Sequence, residues 1–134
     1  MTFTAKLTRP LAALFVSVGL ASTAGAESAS SAATQAAFDP IPAELMEEGA
    51  RQYKRHCRFC HGSKGTAGLR LKGNEKMRDG AFVAHAILVG PGYMTPFADA
   101  LTDEEIAIIT TFVRNAWGND YGPMTAEEVA QLRQ

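Results

Sequence analysis

The sequence predicts an all-α domain of three main helices with a shorter one at the C-terminus. Three observations carry that prediction. Apolar residues recur at helical spacing in three segments. Capping or stopping residues bound those segments. No run of alternating apolar residues is present to build a strand. The 134 residues, 46% hydrophobic and 20% charged, suit one small domain.

The chain opens with Lys6 and Arg9 ahead of an apolar run from Leu11 to Leu20. Small residues then lead to Ala24-Gly25-Ala26. A basic end, a short apolar core and a small-residue cleavage site make a secretory signal peptide over residues 1–26. The run is half the length of the roughly 20 apolar residues that a membrane span needs. Export follows as an expectation: a soluble mature protein outside the cytoplasm, in the periplasm of a Gram-negative source. Residues 27–41 are rich in Ala and Ser and read as a flexible leader. The folded domain spans 42–134.

The first helix starts near Pro42 and runs into Cys57. Leu45, Met46, Gly49, Ala50 and Tyr53 form its apolar stripe, and Glu47, Glu48, Arg51, Lys54 and Arg55 its outer face. A loop bearing Gly62, Gly65, Gly68 and Gly73 follows. A second helix extends from Asp79, its N-cap, to Val89, with Phe82, Ala86 and Val89 inward and Gly90-Pro91-Gly92 ending it. The third begins at the capping box of Thr102 and Glu105. It buries Ile106, Ile109, Val113 and Trp117, widened by Ile108 and Phe112, and stops at Gly118-Asn119. Thr125 and Glu128 repeat the capping box for the last helix, with Val129 and Leu132 inward.

Charge is unevenly distributed. Removing Lys6 and Arg9 takes the formal charge from −1 to −3, yet nine basic residues fall between Arg51 and Arg78 against the single acid Glu75. An exported, slightly acidic protein is a poor nucleic-acid binder. The segment around Lys54, Arg55, Arg58 and Lys64 reads as a docking surface for acidic redox partners or as a solvated helix face.

The stretch Cys57-Arg58-Phe59-Cys60-His61 holds the chain's only cysteines. A thioredoxin-like pair expects a βαβ setting, which an all-α chain lacks. Structural zinc needs four ligands, and only His56 and His85 could complete a set, without characteristic spacing. A disulfide across two residues closes too short a loop to stabilise much. Covalent haem needs two thiols three apart and an imidazole directly behind them, and all three are present in that order. Cys57 and Cys60 are therefore the attachment points and His61 the first axial ligand of one haem c. A chain of about 108 residues with three modest helices has a thin core, which a buried porphyrin would thicken.

The second axial ligand decides whether the iron carries electrons or binds small molecules. Met94 is favoured, because it sits in the Gly/Pro-rich segment Gly90–Pro96 between helices, where backbone can present a thioether to a flat cofactor. Met46 reads as helix core, Met77 lies in a basic loop and Met124 precedes the last helix. His85 is the main rival, and His56 faces away if His61 binds. An open sixth position would instead make the chain a five-coordinate haem sensor or peroxidase.

The segment "EEGARQYKRHCRFCHG" resembles the start of class I cytochromes c, in which a glycine and an aromatic, here Gly49 and Tyr53, precede the haem motif. "LTDEEIAIITTFVRNAWGN" is similar to their C-terminal helix. The resemblance implies the class I cytochrome c fold, close approach of Gly49 to Phe112, haem attached at Cys57 and Cys60, and His61 and Met94 as axial ligands. It also implies a single-electron carrier between a dehydrogenase and a terminal oxidase or reductase, with no substrate chemistry of its own. The ending "VRNAWGNDYGPMTAEEVAQLR" looks like cytochrome modules of bacterial periplasmic dehydrogenases and reductases, which makes a dedicated subunit the alternative. Two departures stand out. Thr95 separates Met94 from Pro96, where the family commonly has Met-Pro. Arg70 lies in a loop lacking the proline that often packs near the proximal histidine, which bears on the hydrogen bond to the His61 ring.

Overall fold

A computed structural model describes residues 40–133. The expected signal peptide, and the expected leader up to residue 39, lie outside the described residues. Those described are helical with no strand, as expected for an all-α chain.

Helix α1, Ala43–His56, begins directly after Pro42, whose carbonyl accepts from the Leu45 and Met46 amides at 3.1 and 3.2 Å. Its inward face is Gly49, Gln52 and Tyr53, with Leu45 and Met46 half-buried. Ala50, expected inward, is exposed instead, because the face turns toward Gln52 where α1 crosses its main partner. A one-turn helix, α2, Arg58–His61, continues from Cys57. A 3-10 turn, Glu75–Arg78, is capped by Asn74, whose Oδ1 accepts from the Lys76 amide at 3.0 Å. Sequence periodicity places this turn in the loop, since four residues are too few to show a helical stripe.

Helix α3, Gly80–Val89, is capped by Asp79, which accepts from the Phe82 amide at 2.9 Å, and ends in left-handed Gly90. Its buried residues are Val83, Ala84, Ile87 and Leu88. The stripe expected at Phe82, Ala86 and Val89 is thus off the packed face. Phe82 and Val89 are largely exposed, but Phe82 and Ala86 line a cavity. Apolar residues nearly surround this helix, so periodicity could not choose between its two apolar faces.

Helix α4, Asp103–Asn115, carries the expected Thr102 and Glu105 capping box and buries Ile106, Ile109 and Val113. It stops before Trp117, earlier than Gly118-Asn119. Trp117 takes a left-handed φ of 59°, rare for a bulky residue. Helix α5, Ala126–Leu132, starts at the capping box of Thr125 and Glu128 and buries Val129 completely.

The most extensive helix interface is that of α1 with α4, and it depends on Gly49. A Cβ placed there would lie 2.5 Å from the Phe112 Cβ and 3.2 Å from the Ile108 carbonyl oxygen. Beside this crossing, Trp117 packs edge to face on both Tyr53 and Phe112, which tilt against one another, with centroids 5.0 to 5.5 Å apart. Gly65 completes the stack, since any Cβ there would strike the Trp117 ring at 2.6 Å.

Side chains hold the segment after α4. The Arg114 guanidinium, 7% exposed, gives all five of its N–H groups to backbone carbonyls. These belong to Met77 and Arg78 of the 3-10 turn and to Tyr121, Gly122 and Pro123. Asn119 donates to the Leu71 and Val113 carbonyls and accepts from the Gly73 amide at 2.8 Å. Thr111 exchanges bonds with the Met124 backbone.

Gly49→Ala tests the crossing. Alanine favours a helix over glycine by about 1 kcal/mol, whereas overpacking a rigid contact costs about 1–3 kcal/mol. The clash falls on a Cβ rather than a flexible tip, so the steric cost wins. A lower urea midpoint is expected, and an equal or higher one would show that the helices can part without penalty.

Candidate functional site

Cys57 ends α1, and its carbonyl accepts from both the Cys60 and His61 amides, at 3.2 and 3.0 Å. That turn places Cys57, Cys60 and His61 along one wall of a cavity of about 500 Å³, within the roughly 300–1,000 Å³ usual for cofactor sites. The rest of the lining is almost wholly apolar. Leu71, Met77, Val83, Ala86, Ile87, Ile109 and Val113 form its depth, with Leu69, Phe82 and Tyr93 at exposed positions. The segment after α3 doubles back on that helix, the Phe97 and Ala98 amides donating to the Ile87 and Leu88 carbonyls. This return brings Met94 into the same cavity.

His61 Nδ1 lies 3.1 Å from the Leu69 carbonyl oxygen. A carbonyl can only accept, so Nδ1 carries the proton and Nε2 keeps its lone pair for a metal. The backbone thus supplies the bond to the ring although no proline stands in the loop. Gly68 permits the approach: at φ 57°, its missing Cβ would come within 3.0 Å of the Cys60 carbonyl oxygen. Burial pushes the Cys57 thiol up to about 11, and the neighbouring Cys60 thiol adds to the effect.

The cavity gathers Cys57, Cys60, His61 and Met94, and it leaves out Met46, Met124 and His85 among the other sulfur and imidazole candidates, His85 being exposed on α3. Met77 does line it and is 2% exposed, a place that a basic flanking sequence did not suggest. His56, expected to face away, lines it too, edge-on to Phe97 with centroids 5.8 Å apart. Among the described residues no three His, Cys, Asp or Glu side chains converge as a metal-ion donor set. A zinc site would need four such ligands. An apolar cavity with two thiols, an oriented imidazole and a thioether fits a porphyrin.

Arg51 pairs with Glu48 and Arg78 with Glu75. Lys54, Arg55, Arg58 and Lys64 are exposed and form no ion pair among the described residues. Arg70 follows the cavity residue Leu69, and Lys76 Nζ stands 5.8 Å from the centroid of the cavity residue Phe82. Phe59, between the cysteines, is 99% exposed. No helix among the described residues is long and apolar enough to cross a membrane.

Behind the cysteine wall, the Tyr53 hydroxyl donates to the Gly62 carbonyl at 2.6 Å. Burial first, and the nearby Cys57 second, push its phenol up to about 12.

Residues 44–113 match a family model described as "Cytochrome C oxidase, cbb3-type, subunit III". No match was found among curated proteins.

Tyr53 yields a pH prediction. The unfolded chain loses this proton near the ordinary value of 10 and the folded chain near 12. The contribution is therefore complete below pH 10 and is lost as pH rises toward 12, on the order of 2 kcal/mol. Denaturant unfolding at about pH 8 and about pH 11 should show a smaller alkaline loss in Tyr53→Phe than in the wild type. Equal losses would remove Tyr53 from the account.

Proposed function

The chain belongs to the family described as cytochrome c oxidase, cbb3-type, subunit III, whose domain is a c-type cytochrome carrying electrons on covalently bound haem c, and from that premise we propose that it is an exported His/Met-ligated single-electron carrier. One observation carries the reading: Cys57, Cys60, His61 and Met94 share one apolar cavity.

When bound, haem c supplies an iron that takes up and returns one electron. Cys57 and Cys60 would hold it through thioethers, and His61 would offer Nε2, its ring oriented by the Leu69 carbonyl. Met94 would offer its thioether as the second protein ligand. The mostly apolar walls would disfavour water there and leave the thioether little competition. Thr95, standing between Met94 and Pro96, does not keep Met94 out of the cavity. The signal peptide over residues 1–26 would deliver the chain to the periplasm.

Partners would be a donor dehydrogenase and an acceptor oxidase or reductase. They would meet the chain at Lys54, Arg55, Arg58 and Lys64, with Arg70 and Lys76 beside the cavity residues Leu69 and Phe82. Transient redox contacts are small, so charge would do much of the steering. A second reading, a dedicated subunit of one larger oxidoreductase, is favoured by the word "subunit" in the family description. Co-purification with a larger catalytic protein would separate the two.

Met94→Ala should abolish the weak band at the red edge of the ferric spectrum that marks methionine ligation in this family. A band that persists would give the ligand role to another residue. Carbon monoxide binding to the wild type would favour the five-coordinate reading. Reduction by an acidic partner should slow as ionic strength rises, by about tenfold or more between low and physiological salt. Rates that are flat in salt would remove the docking role of the basic residues.

A further inference from the structure

We propose that Arg114 sets the reduction potential of this site, its buried charge standing behind the cavity wall and favouring the reduced form. The inference rests on the haem reading above and concerns a residue that touches the cofactor cavity only through its neighbours.

Three observations support it. Arg114 is 7% exposed and bonds only to carbonyls, so no carboxylate is hydrogen-bonded to the guanidinium. Burial lowers its pKa, yet an arginine stays protonated throughout the working range. The carboxylates that act on it, Glu128 and Asp79, are both exposed. Each is already engaged in a helix cap: Glu128 accepts from the Thr125 amide and Asp79 from the Phe82 amide. Water screens those two charges more than it screens the guanidinium.

Position supplies the remaining argument. Val113, next in the chain, and Ile109, one turn back with it on α4, both line the cavity. The Met77 carbonyl takes the Arg114 Nε at 3.0 Å while the Met77 side chain forms cavity wall. The cation therefore lies one residue behind the lining, across apolar side chains. Reduction transfers one electron from a one-electron donor protein to the site, moves no proton and removes one unit of positive charge. A fixed cation across low-dielectric side chains raises the affinity for that electron. Arg114 also holds the wall in place, so its charge and its hydrogen bonds need separating.

Spectroelectrochemical titration of the haem-loaded Arg114→Gln and Arg114→Lys variants separates them. Arg114→Gln should weaken electron affinity about tenfold, a fall of about 59 mV for a one-electron couple. Arg114→Lys keeps the charge with three donors in place of five. It should lose stability in urea yet hold the wild-type potential at neutral pH. Burial lowers a lysine pKa, so the potential of this variant should then drop toward the glutamine value as pH rises, with no matching drop in the wild type. A wild-type potential in Arg114→Gln overturns the proposal, as does a neutral-pH fall in Arg114→Lys as large as that in Arg114→Gln. If the glutamine variant does not fold, the lysine titration decides alone, a pH profile parallel to the wild type being the overturning result. Absence of covalent haem from the wild type would instead sink the reading that this inference rests on.

Discussion

The close passage of α1 over α4 at Gly49 is the constraint on which the other contacts depend. With no side chain on α1 at that point, Phe112 packs directly on the helix backbone, and Tyr53 and Trp117 can reach one another beside it. Such aromatic pairs contribute about 0.5–1.5 kcal/mol each beyond their burial. Together they offset the left-handed backbone of Trp117, which costs on the order of 1–3 kcal/mol. Tyr53 then carries the consequence outward, since its hydroxyl ties down the Gly62 carbonyl immediately after the cysteine motif. One crossing thus fixes both the helix that ends at Cys57 and the helix whose Ile109 and Val113 line the opposite depth of the cavity.

Among the described residues, long segments have no regular secondary structure, and buried backbone groups in them need partners from elsewhere. Polar side chains on and just after α4 supply many of these. Arg114 reaches across to the 3-10 turn, Asn119 to the loop after the cysteine motif, and Thr111 and Asn115 to the residues leading into α5. Helix α4 is therefore both a packing element, through its apolar face, and a donor of hydrogen bonds, through its Arg and Asn side chains.

These features leave a cavity whose interior is apolar, whose imidazole is oriented by a backbone carbonyl and whose surroundings include lysines and arginines that form no ion pair among the described residues. The groups that shape it are satisfied in one arrangement, so a change of one unit of charge inside does not require them to move. That preorganisation suits an electron carrier, which must accept and release charge without rebuilding its surroundings.

Much of this was legible in the residues. The capping boxes at Thr102 and Thr125, the cap at Asp79 and the break at Gly90 use local hydrogen bonds and backbone torsions, which depend on neighbours in sequence. The cysteine motif is equally local, because one helical turn suffices to align Cys57, Cys60 and His61. Three things were not legible. The inward face of α3 could not be read where apolar residues nearly encircle the helix. Met77 was hidden because its neighbours are charged while its own side chain is buried. Nothing in the sequence around Arg114 announces its burial or its five carbonyl partners, two of which come from the 3-10 turn far earlier in the chain. The sequence by itself determined the helices, their caps and the spacing of the cofactor-bearing residues, all set by interactions within a few residues. Tertiary structure alone decided which apolar face meets the cavity, which thioethers enter it and where a buried cation finds its partners, because those depend on contacts between segments dozens of residues apart.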